Sequence, residues 1–404
     1  MASSISSSKR SLSSEEKEND QKLNNDSSNK KLKTTLDSLQ EIRLKIIEEF
    51  RKRNLEIPLH LINTIDRSET SETNRNDAEH RKELYARLSE YLDRRQVGNR
   101  VIPNIPVDAR WAQKGVTVAG GLGEGSATNQ LYWPHGLFVD DDQTMIIADC
   151  YNDRIIQWKM GGKNGQVVAG GNGGGNRLDQ LCSPTDVLID KETDSLIISD
   201  WSNRRVVRWS RRSGTIQGEI LINNIKCSRV AMDDQRYLYI SDRDKHEVRR
   251  YQIGDKNGTL VAGGNGKGAS LNQLNFPTYI FVDQQQTVYV SDRGNHRVMK
   301  WNKGAKEGIV VAGGQGEGNA LTQLADPQGP FVDTLGTIYV ADSSNHRVMR
   351  WPKGEKQGTI MVGGNGQGEG ANQFNFLGAL SFDRHGNLFV VDYGNSRVQR
   401  FSIE

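Results

Sequence analysis

One motif occurs six times in the chain, and it constrains the fold more than any other feature of the sequence. Each copy has an aspartate after a short apolar run and an aromatic residue nine positions later, as in "VYVSDRGNHRVMKW". The copies are about fifty residues apart and each unit has room for four short strands, which is typical of a β-propeller blade. The motif aspartates are Asp149, Asp200, Asp242, Asp292, Asp342 and Asp392.

Glycine-rich segments separate most of the units, and one of them, "AGGNGKGAS", has the look of a phosphate-binding loop. A P-loop requires Ser or Thr directly after its lysine, whereas Lys267 is followed by Gly268. Similar segments stand at residues 119, 169, 312 and 362, so the feature recurs with the repeat. We therefore interpret these segments as linkers between blades and expect no nucleotide to bind there.

The motif resembles the NHL-repeat family in its aspartate loop and in the "NHRV" at 295–298 and 345–348, and the resemblance covers residues 115–404. It implies an all-β fold, a six-bladed β-propeller of the NHL type, which agrees with the six copies. Unit three departs from the pattern. There Lys245 and Glu247 replace the Asn and Arg, and the aspartate spacing shrinks from about 50 to 42 because a glycine linker is missing.

The two ends of the repeat region are complementary. The chain ends just after the third strand of unit six, while "GVTVAGG" at 115–121 resembles a fourth strand with no unit before it. Residues 115–119 are therefore predicted to pair as the outer strand of the last blade, which closes the ring and removes an exposed edge.

The region before the repeats has a different composition. Residues 1–31 contain ten serines and few large apolar side chains, which favours a disordered tail. Residues 32–97 show the periodicity of two amphipathic helices, which could pack on each other, dock on the propeller or form a weak coiled coil with another copy. Residues 98–114 are interpreted as a linker.

Charge and cysteine content limit which cellular compartment and which class of partner the sequence favours. The net charge is +3, so bulk attraction to nucleic acid is weak. The three cysteines are far apart, which favours a reducing compartment. There is no apolar leader and no run of eighteen apolar residues, so we expect a cytoplasmic protein without a membrane partner.

The recurring polar residues have a structural interpretation. The motif Asp and Asn are expected to bond the backbone of their own turn, and the motif Arg is expected to pair with a carboxylate between blades. His296 and His346 lie inside the motif and are assigned the same structural role.

Positions that vary within a fixed repeat are better candidates for binding, because a rigid scaffold carries function on its loops. Aromatic and arginine side chains on one rim suit a protein partner, and they would equally suit stacking on single-stranded RNA. The residues after the motif aspartates are Cys150, Trp201, Arg243, Arg293, Ser343 and Tyr393, of which Trp201, Arg243, Arg293 and Tyr393 are the candidate anchors.

A second candidate set begins the inner strands at the channel entrance: His135, Asp186, Arg229 and Tyr279, with Gln328 at the same position in unit five. Some propellers similar to NHL modules are lyases or hydrolases with ligands near this channel. No catalytic or metal-binding motif occurs here, so we expect no enzyme activity, no metal and no cofactor. The resemblance also extends to ubiquitin ligases of the tripartite-motif class, but residues 1–114 have no cysteine for a RING or B-box. A non-enzymatic scaffold for a protein partner is the favoured hypothesis.

Overall fold

A computed structural model describes residues 103, 105–212 and 214–404 of the protein. Six four-stranded antiparallel sheets form a six-bladed β-propeller, with the first strand of each blade innermost. The predicted tail at 1–31 and the predicted helical segment at 32–97 lie outside the described residues.

Blades one to three follow the four-strand pattern of the sequence units, except that three residues replace the linker before blade three. Blade one contains β2 (Pro134–Val139), β3 (Met145–Asp149), β4 (Arg154–Trp158) and β5 (Gln166–Gly170). Blade two contains β6 (Pro184–Asp190), β7 (Ser195–Asp200), β8 (Arg205–Ser210) and β9 (Glu219–Asn223). Blade three contains β10 (Cys227–Met232), β11 (Leu238–Asp242), β12 (Glu247–Tyr251) and β13 (Thr259–Gly263).

Blades four to six complete the ring. Blade four contains β14 (Pro277–Val282), β15 (Val288–Asp292), β16 (Arg297–Trp301) and β17 (Ile309–Gly313). Blade five contains β18 (Pro327–Val332), β19 (Ile338–Asp342), β20 (Arg347–Trp351) and β21 (Thr359–Gly363). Blade six contains β22 (Leu377–Phe382), β23 (Leu388–Asp392) and β24 (Arg397–Phe401). Short 3-10 helices follow four of the motif aspartates, at Cys150–Asn152, Arg293–Asn295, Ser343–Asn345 and Tyr393–Asn395.

The fourth strand of blade six comes from the other end of the repeat region. Strand β1 (Val116–Gly120) pairs antiparallel with β24, with Val116 opposite Arg400 and Gly120 opposite Arg397. The inner strand β22 packs against β2 of blade one. The last blade is therefore built from both ends of the repeat region, and β1, not β24, is its outermost strand.

The burial of each strand follows its radial position. The second strands are buried along their whole length, as in Met145–Asp149, because blades cover both of their faces. The outer strands begin with exposed residues, as in Val116–Gly120. The core is therefore a ring of layers between blades around a central channel.

Part of the segment predicted as a linker, 98–114, packs on the propeller. Ile105 is fully buried, and the ring of Trp111 makes edge contacts with Tyr339 and Phe382. The indole N–H of Trp111 donates to the Gly386 carbonyl at 2.9 Å. These contacts add apolar burial to blades five and six.

Candidate functional site at the motif-loop face

The loops that start at the motif aspartates, called motif loops below, lie at one end of the propeller together with the glycine linkers. In blade one, Asp149 accepts the N–H of Tyr132 at 2.7 Å, the amide of Asn152 at 2.8 Å and Nε of Arg154 at 2.7 Å. The other guanidinium nitrogens of Arg154 donate to three linker carbonyls. The expectation that the motif Arg pairs between blades is wrong, because the Asp directly opposite it in the same sheet is its partner.

The residue before each motif Arg adopts the left-handed conformation and connects neighbouring blades. Nδ1 of His296 accepts the N–H of Asp326 at 3.3 Å, and Nδ1 of His346 accepts the N–H of Phe376 at 3.2 Å. Each imidazole must be neutral to accept at Nδ1. Burial lowers the pKa of His346, which favours that neutral form. These histidines therefore hold the next blade in place.

The channel entrance on this face is closed by side chains of the predicted entrance set. Tyr279 donates its hydroxyl hydrogen to the backbone carbonyl of His135 at 3.1 Å, from blade four to the opposite blade one. The guanidinium of Arg229 lies 3.7 Å from the centre of the Tyr279 ring and donates to the carbonyls of Thr185 and Ser228. Arg229 is 3% exposed and Tyr279 is 7% exposed. Together they form a floor across the channel.

The remaining entrance residues also make structural contacts. Asp186 accepts the backbone N–H of Val230 at 3.1 Å, which connects blades two and three. The ring of His135 stacks on Tyr393 with 5.3 Å between centroids. Burial, with Arg229 and Arg293 nearby, lowers the pKa of His135 to about 3, so this imidazole is neutral at physiological pH.

Above the floor, blades two to four carry a row of alternating cationic and aromatic side chains, called the cation–aromatic strip below. Arg243 lies between two rings, 5.5 Å from the centre of Trp201 and 5.2 Å from that of Phe276. Lys226 lies over Trp201 at 4.4 Å, and Lys267 lies over Phe276 at 4.6 Å. The strip thus combines three cations with two large rings on one continuous surface.

The opposite side of the face, at blades six and one, is aromatic. Trp133 and Tyr151 stack in parallel with centroids 5.3 Å apart, and Tyr151 is 51% exposed. Tyr393 lies 5.4 Å from Trp133 and 5.8 Å from Phe376. The predicted anchor Tyr393 is therefore one member of an aromatic cluster.

Arg293 is the predicted anchor whose charge is already engaged. It donates to both carboxylate oxygens of Asp326, at 3.2 and 3.1 Å, in a bidentate pair. Because two of its guanidinium nitrogens already donate to that carboxylate, Arg293 has fewer hydrogen-bond donors and less uncompensated charge for a partner than Arg243.

Sequence reasoning missed the residues that lead into the inner strands. Trp133, Phe276 and Phe376 occupy this position in three blades with φ of 48°, 51° and 57°, a conformation that is unusual for bulky residues. The sequence does contain a signal for these residues, because the position before each inner strand varies among units just as the post-aspartate position does. Applying the same criterion there would have added aromatic candidates on both sides of the face.

Comparison with solved structures supports the fold. A Bacteroides thetaiotaomicron protein of unknown function matches with a TM-score of 0.58 and 17% identity, over 73% of this chain and 77% of that chain. An auxiliary nutrient binding protein from the same organism matches with a TM-score of 0.55 and 15% identity, over 73% and 77%. A gluconolactonase from Xanthomonas campestris matches with a TM-score of 0.51 and 14% identity, over 76% of this chain and 100% of that chain. At these identities the likeness shows the fold alone.

No protein-family model matches the sequence, and no curated protein matches it either. In the part of the chain that the structure describes, no three His, Cys, Asp or Glu side chains gather in a way that could hold a metal ion. In the same part, no helix is long and apolar enough to cross a membrane.

Proposed function

We propose that the protein is an NHL-type propeller that binds an acidic segment of a partner protein on its motif-loop face. The cation–aromatic strip is the observation that carries the proposal. Trp and Arg are the residue types that dominate protein interfaces, and here they lie side by side on one exposed face. In this proposal Trp201 and Arg243 are the main anchors, and the aromatic cluster at Tyr151 and Tyr393 extends the contact.

The charge of Arg243 is the reason for proposing an acidic segment. Burial, with Arg293 nearby, lowers the pKa of Arg243, so its cationic form is held at a cost in free energy. A carboxylate placed beside Arg243 would offset that cost through a charge-assisted hydrogen bond. Lys226 and Lys267 add positive charge at both ends of the strip.

Protein is favoured over single-stranded RNA by two observations. Cations already lie over the rings of Trp201 and Phe276, the surfaces on which bases would stack. Residues 111–404 carry 32 basic and 31 acidic side chains, so the propeller has little long-range attraction for a polyanion.

A binding role is also favoured over an enzymatic one. One structural neighbour is a gluconolactonase and another is a nutrient binding protein, so the fold serves both kinds of role. The floor formed by Arg229 and Tyr279 leaves the entrance on this face shallow, which suits a peptide lying across it. We also place the protein in the cytoplasm, a proposal supported by its three cysteines, which are free thiols.

The test is capture of partners from native lysate, with and without nuclease, by the full-length protein and by the Trp201→Ala/Arg243→Ala variant. Truncating one such anchor typically costs about 2 kcal/mol, so the double variant should lose the wild-type partners. Capture should survive nuclease treatment.

A matched control is available at the other end of the same blade. Arg250 lies 4.6 Å from the ring centre of Tyr237, which makes a cation–aromatic pair of the same chemistry on the opposite face. The Tyr237→Ala/Arg250→Ala variant should capture the same partners as wild type. Capture that both double variants retain would contradict the site, and capture abolished by nuclease would favour RNA.

A further inference from the structure

The three cations of the cation–aromatic strip have no carboxylate partner in the described part of the chain. Lys226, Arg243 and Lys267 lie over aromatic rings, and none of them forms an ion pair with a described residue. The guanidinium of Arg243 also donates no hydrogen bond to these residues, so its N–H donors remain available. The strip therefore presents three positive charges that an anion from outside the propeller can offset.

The carboxylates on the same surface already have cationic partners. Asp244, the residue after Arg243, pairs with Arg204 at 2.8 Å. Asp326 accepts both hydrogen bonds of the bidentate pair with Arg293, at 3.2 and 3.1 Å. These two pairs cancel within themselves and leave the charge of the strip unchanged.

Two further titratable groups lie close to the strip. Asp242 is fully buried, and its nearest cation is the ammonium of Lys245 at 4.0 Å. His246 accepts the N–H of Phe276 at Nδ1 at 3.1 Å, which requires a neutral imidazole. Burial, with Lys267 nearby, lowers the pKa of His246 and favours that neutral form. Neither group neutralises the three cations or adds a fourth.

The three cations are close enough to act on one anionic group. The guanidinium carbon of Arg243 lies 5.5 Å and the ammonium of Lys226 lies 4.4 Å from the ring centre of Trp201, so these charges are at most about 10 Å apart. The distances from the ring centre of Phe276, 5.2 Å for Arg243 and 4.6 Å for Lys267, set the same limit. Because a lysine stem is flexible and an exposed cation–π contact is weak, either ammonium can turn toward an anion held at Arg243.

A phosphomonoester matches this arrangement better than a carboxylate or a phosphodiester. A glutamate or aspartate brings one negative charge, whereas a phosphorylated serine brings about −1.5 to −2 at neutral pH together with three acceptor oxygens. An RNA phosphodiester brings one charge, and its bases would compete with the cations for the rings of Trp201 and Phe276. The phosphomonoester therefore offsets the most charge at a single point.

From this geometry we propose that the strip binds a phosphorylated serine or threonine of the partner segment, with the phosphoryl group at Arg243 and the ammonium groups of Lys226 and Lys267 on either side. This inference rests on the proposed function, because it names the acidic group of the segment that the motif-loop face binds.

The test is an NMR titration of the full-length protein with ¹⁵N-labelled tryptophan, in which the indole N–H of Trp201 reports on the strip. Its resonance is assigned by its absence from Trp201→Phe. The probes are two blocked tripeptides that differ only in the residue between two glycines, phosphoserine or glutamate. We expect a saturable shift with the phosphoserine peptide, with a dissociation constant of about 1 mM or tighter, and at least roughly tenfold weaker binding of the glutamate peptide.

Three outcomes of this titration would overturn the proposal. They are no saturable shift with the phosphoserine peptide, equal affinity for the two peptides, and stronger binding of hexauridylate, which would assign the strip to RNA.

Variants of the strip locate the binding. Arg243→Gln removes the central charge and should weaken binding of the phosphoserine peptide at least roughly tenfold. Lys226→Gln/Lys267→Gln leaves Arg243 in place and should weaken it severalfold. The matched control is Arg250→Gln, which removes a cation from the Tyr237 ring on the opposite face and should bind like wild type. Unchanged affinity in either strip variant that melts like wild type would contradict the site.

A second measurement separates this inference from the proposed function. Treating the native lysate with a serine/threonine phosphatase before capture should remove the same partners that Trp201→Ala/Arg243→Ala loses. Capture that the double substitution abolishes but phosphatase leaves intact would contradict the phosphoryl group and leave the proposed function standing.

Discussion

The motif loop of blade three differs from those of the other five blades in the sign of the charge that lies opposite the motif aspartate. In five blades a buried Arg donates to the motif Asp at 2.6 to 2.7 Å, as in the pair of Arg297 and Asp292. In blade three, Glu247 stands opposite Asp242 at the same register position, so two carboxylates face each other. Among the described residues, Oδ2 of Asp242 has no hydrogen-bond partner, and the nearest cation is the ammonium of the exposed Lys245 at 4.0 Å.

The missing linker explains the difference. Each motif Arg also donates to three carbonyls of the linker that precedes its blade, as Arg297 does to Ala269, Ser270 and Gln273. Blade three has only three residues between β9 and β10, so those carbonyls are absent. The Arg is therefore a clamp for the linker. Lys226 is one of the three residues that replace this linker, and its ammonium lies over the ring of Trp201 in the cation–aromatic strip.

The largest expected effect is on an ordinary blade. Arg297→Ala leaves Asp292 buried without its cation and leaves three linker carbonyls without donors. Breaking a buried pair from one side typically costs about 3–5 kcal/mol. The free energy of unfolding, measured by urea titration, should fall by this amount.

The matched change in blade three is Glu247→Gln. It keeps a hydrogen-bond acceptor for Arg249, whose Nε lies 2.6 Å from the Glu247 carboxylate, and it removes one of two facing negative charges. We expect stability within about 1 kcal/mol of wild type. Equal losses in the two variants would show that blade three uses the same clamp as the others.

The next effect depends on pH. Burial, together with Glu247, raises the pKa of Asp242 above its usual 3.8, so the folded state holds this proton more tightly than the unfolded state. The contribution of Asp242 to stability should therefore fall as the pH rises from about 4 through the raised pKa. The loss should be about 1.4 kcal/mol for each pH unit that separates the folded pKa from the unfolded one.

Asp242→Asn removes that titration and keeps Oδ1 as acceptor for the N–H groups of Asp244 and Lys245. Its stability relative to wild type should increase between pH 4 and pH 8 in urea titrations. The same change at Asp292 removes the carboxylate that neutralises the buried Arg297 and should destabilise the protein throughout this range. If the stability difference between Asp242→Asn and wild type does not change with pH, the Asp242 carboxylate carries no unfavourable charge in the folded protein.

The smallest effect concerns the junctions between blades. His346→Phe keeps the ring but removes the acceptor for the N–H of Phe376, and a lost hydrogen bond of this kind costs about 1 kcal/mol. At the junction without a linker, Arg204 occupies the same position and pairs with Asp244 at 2.8 Å on the surface. Thermal melts should show a loss for His346→Phe and, for Arg204→Ala, a change within about 0.5 kcal/mol.

Much of the fold could be predicted from the sequence, because the spacing of the motif aspartates and the count of strands leave few alternatives. The unmatched strand near residue 115 required a partner, and the last unit lacked one. The partner of the motif Arg could not be predicted in this way. Its carboxylate lies five residues earlier in the chain and directly opposite in the sheet, and composition does not distinguish it from a carboxylate of the next blade.

Only part of the candidate site could be predicted from the sequence. Variation after the motif aspartate pointed to Trp201 and Arg243, which the structure places 5.5 Å apart. Lys226 and Lys267 were missed because they belong to connecting segments, whose path over the face is fixed by tertiary contacts. Arg293 fits the same sequence criterion, yet its partner Asp326 is 33 residues away and gives no local signal.

Site-specific photo-crosslinking tests most directly whether the cation–aromatic strip is the partner surface. A photoreactive amino acid is placed at Ser202, an exposed residue next to Trp201, and in a second protein at Gln285, an exposed residue on the opposite face. After irradiation in native lysate, we expect a discrete protein adduct from position 202, absent from the Trp201→Ala/Arg243→Ala background, and none from position 285. Adducts from position 285 alone, or adducts at 202 that survive the double substitution, would contradict this expectation.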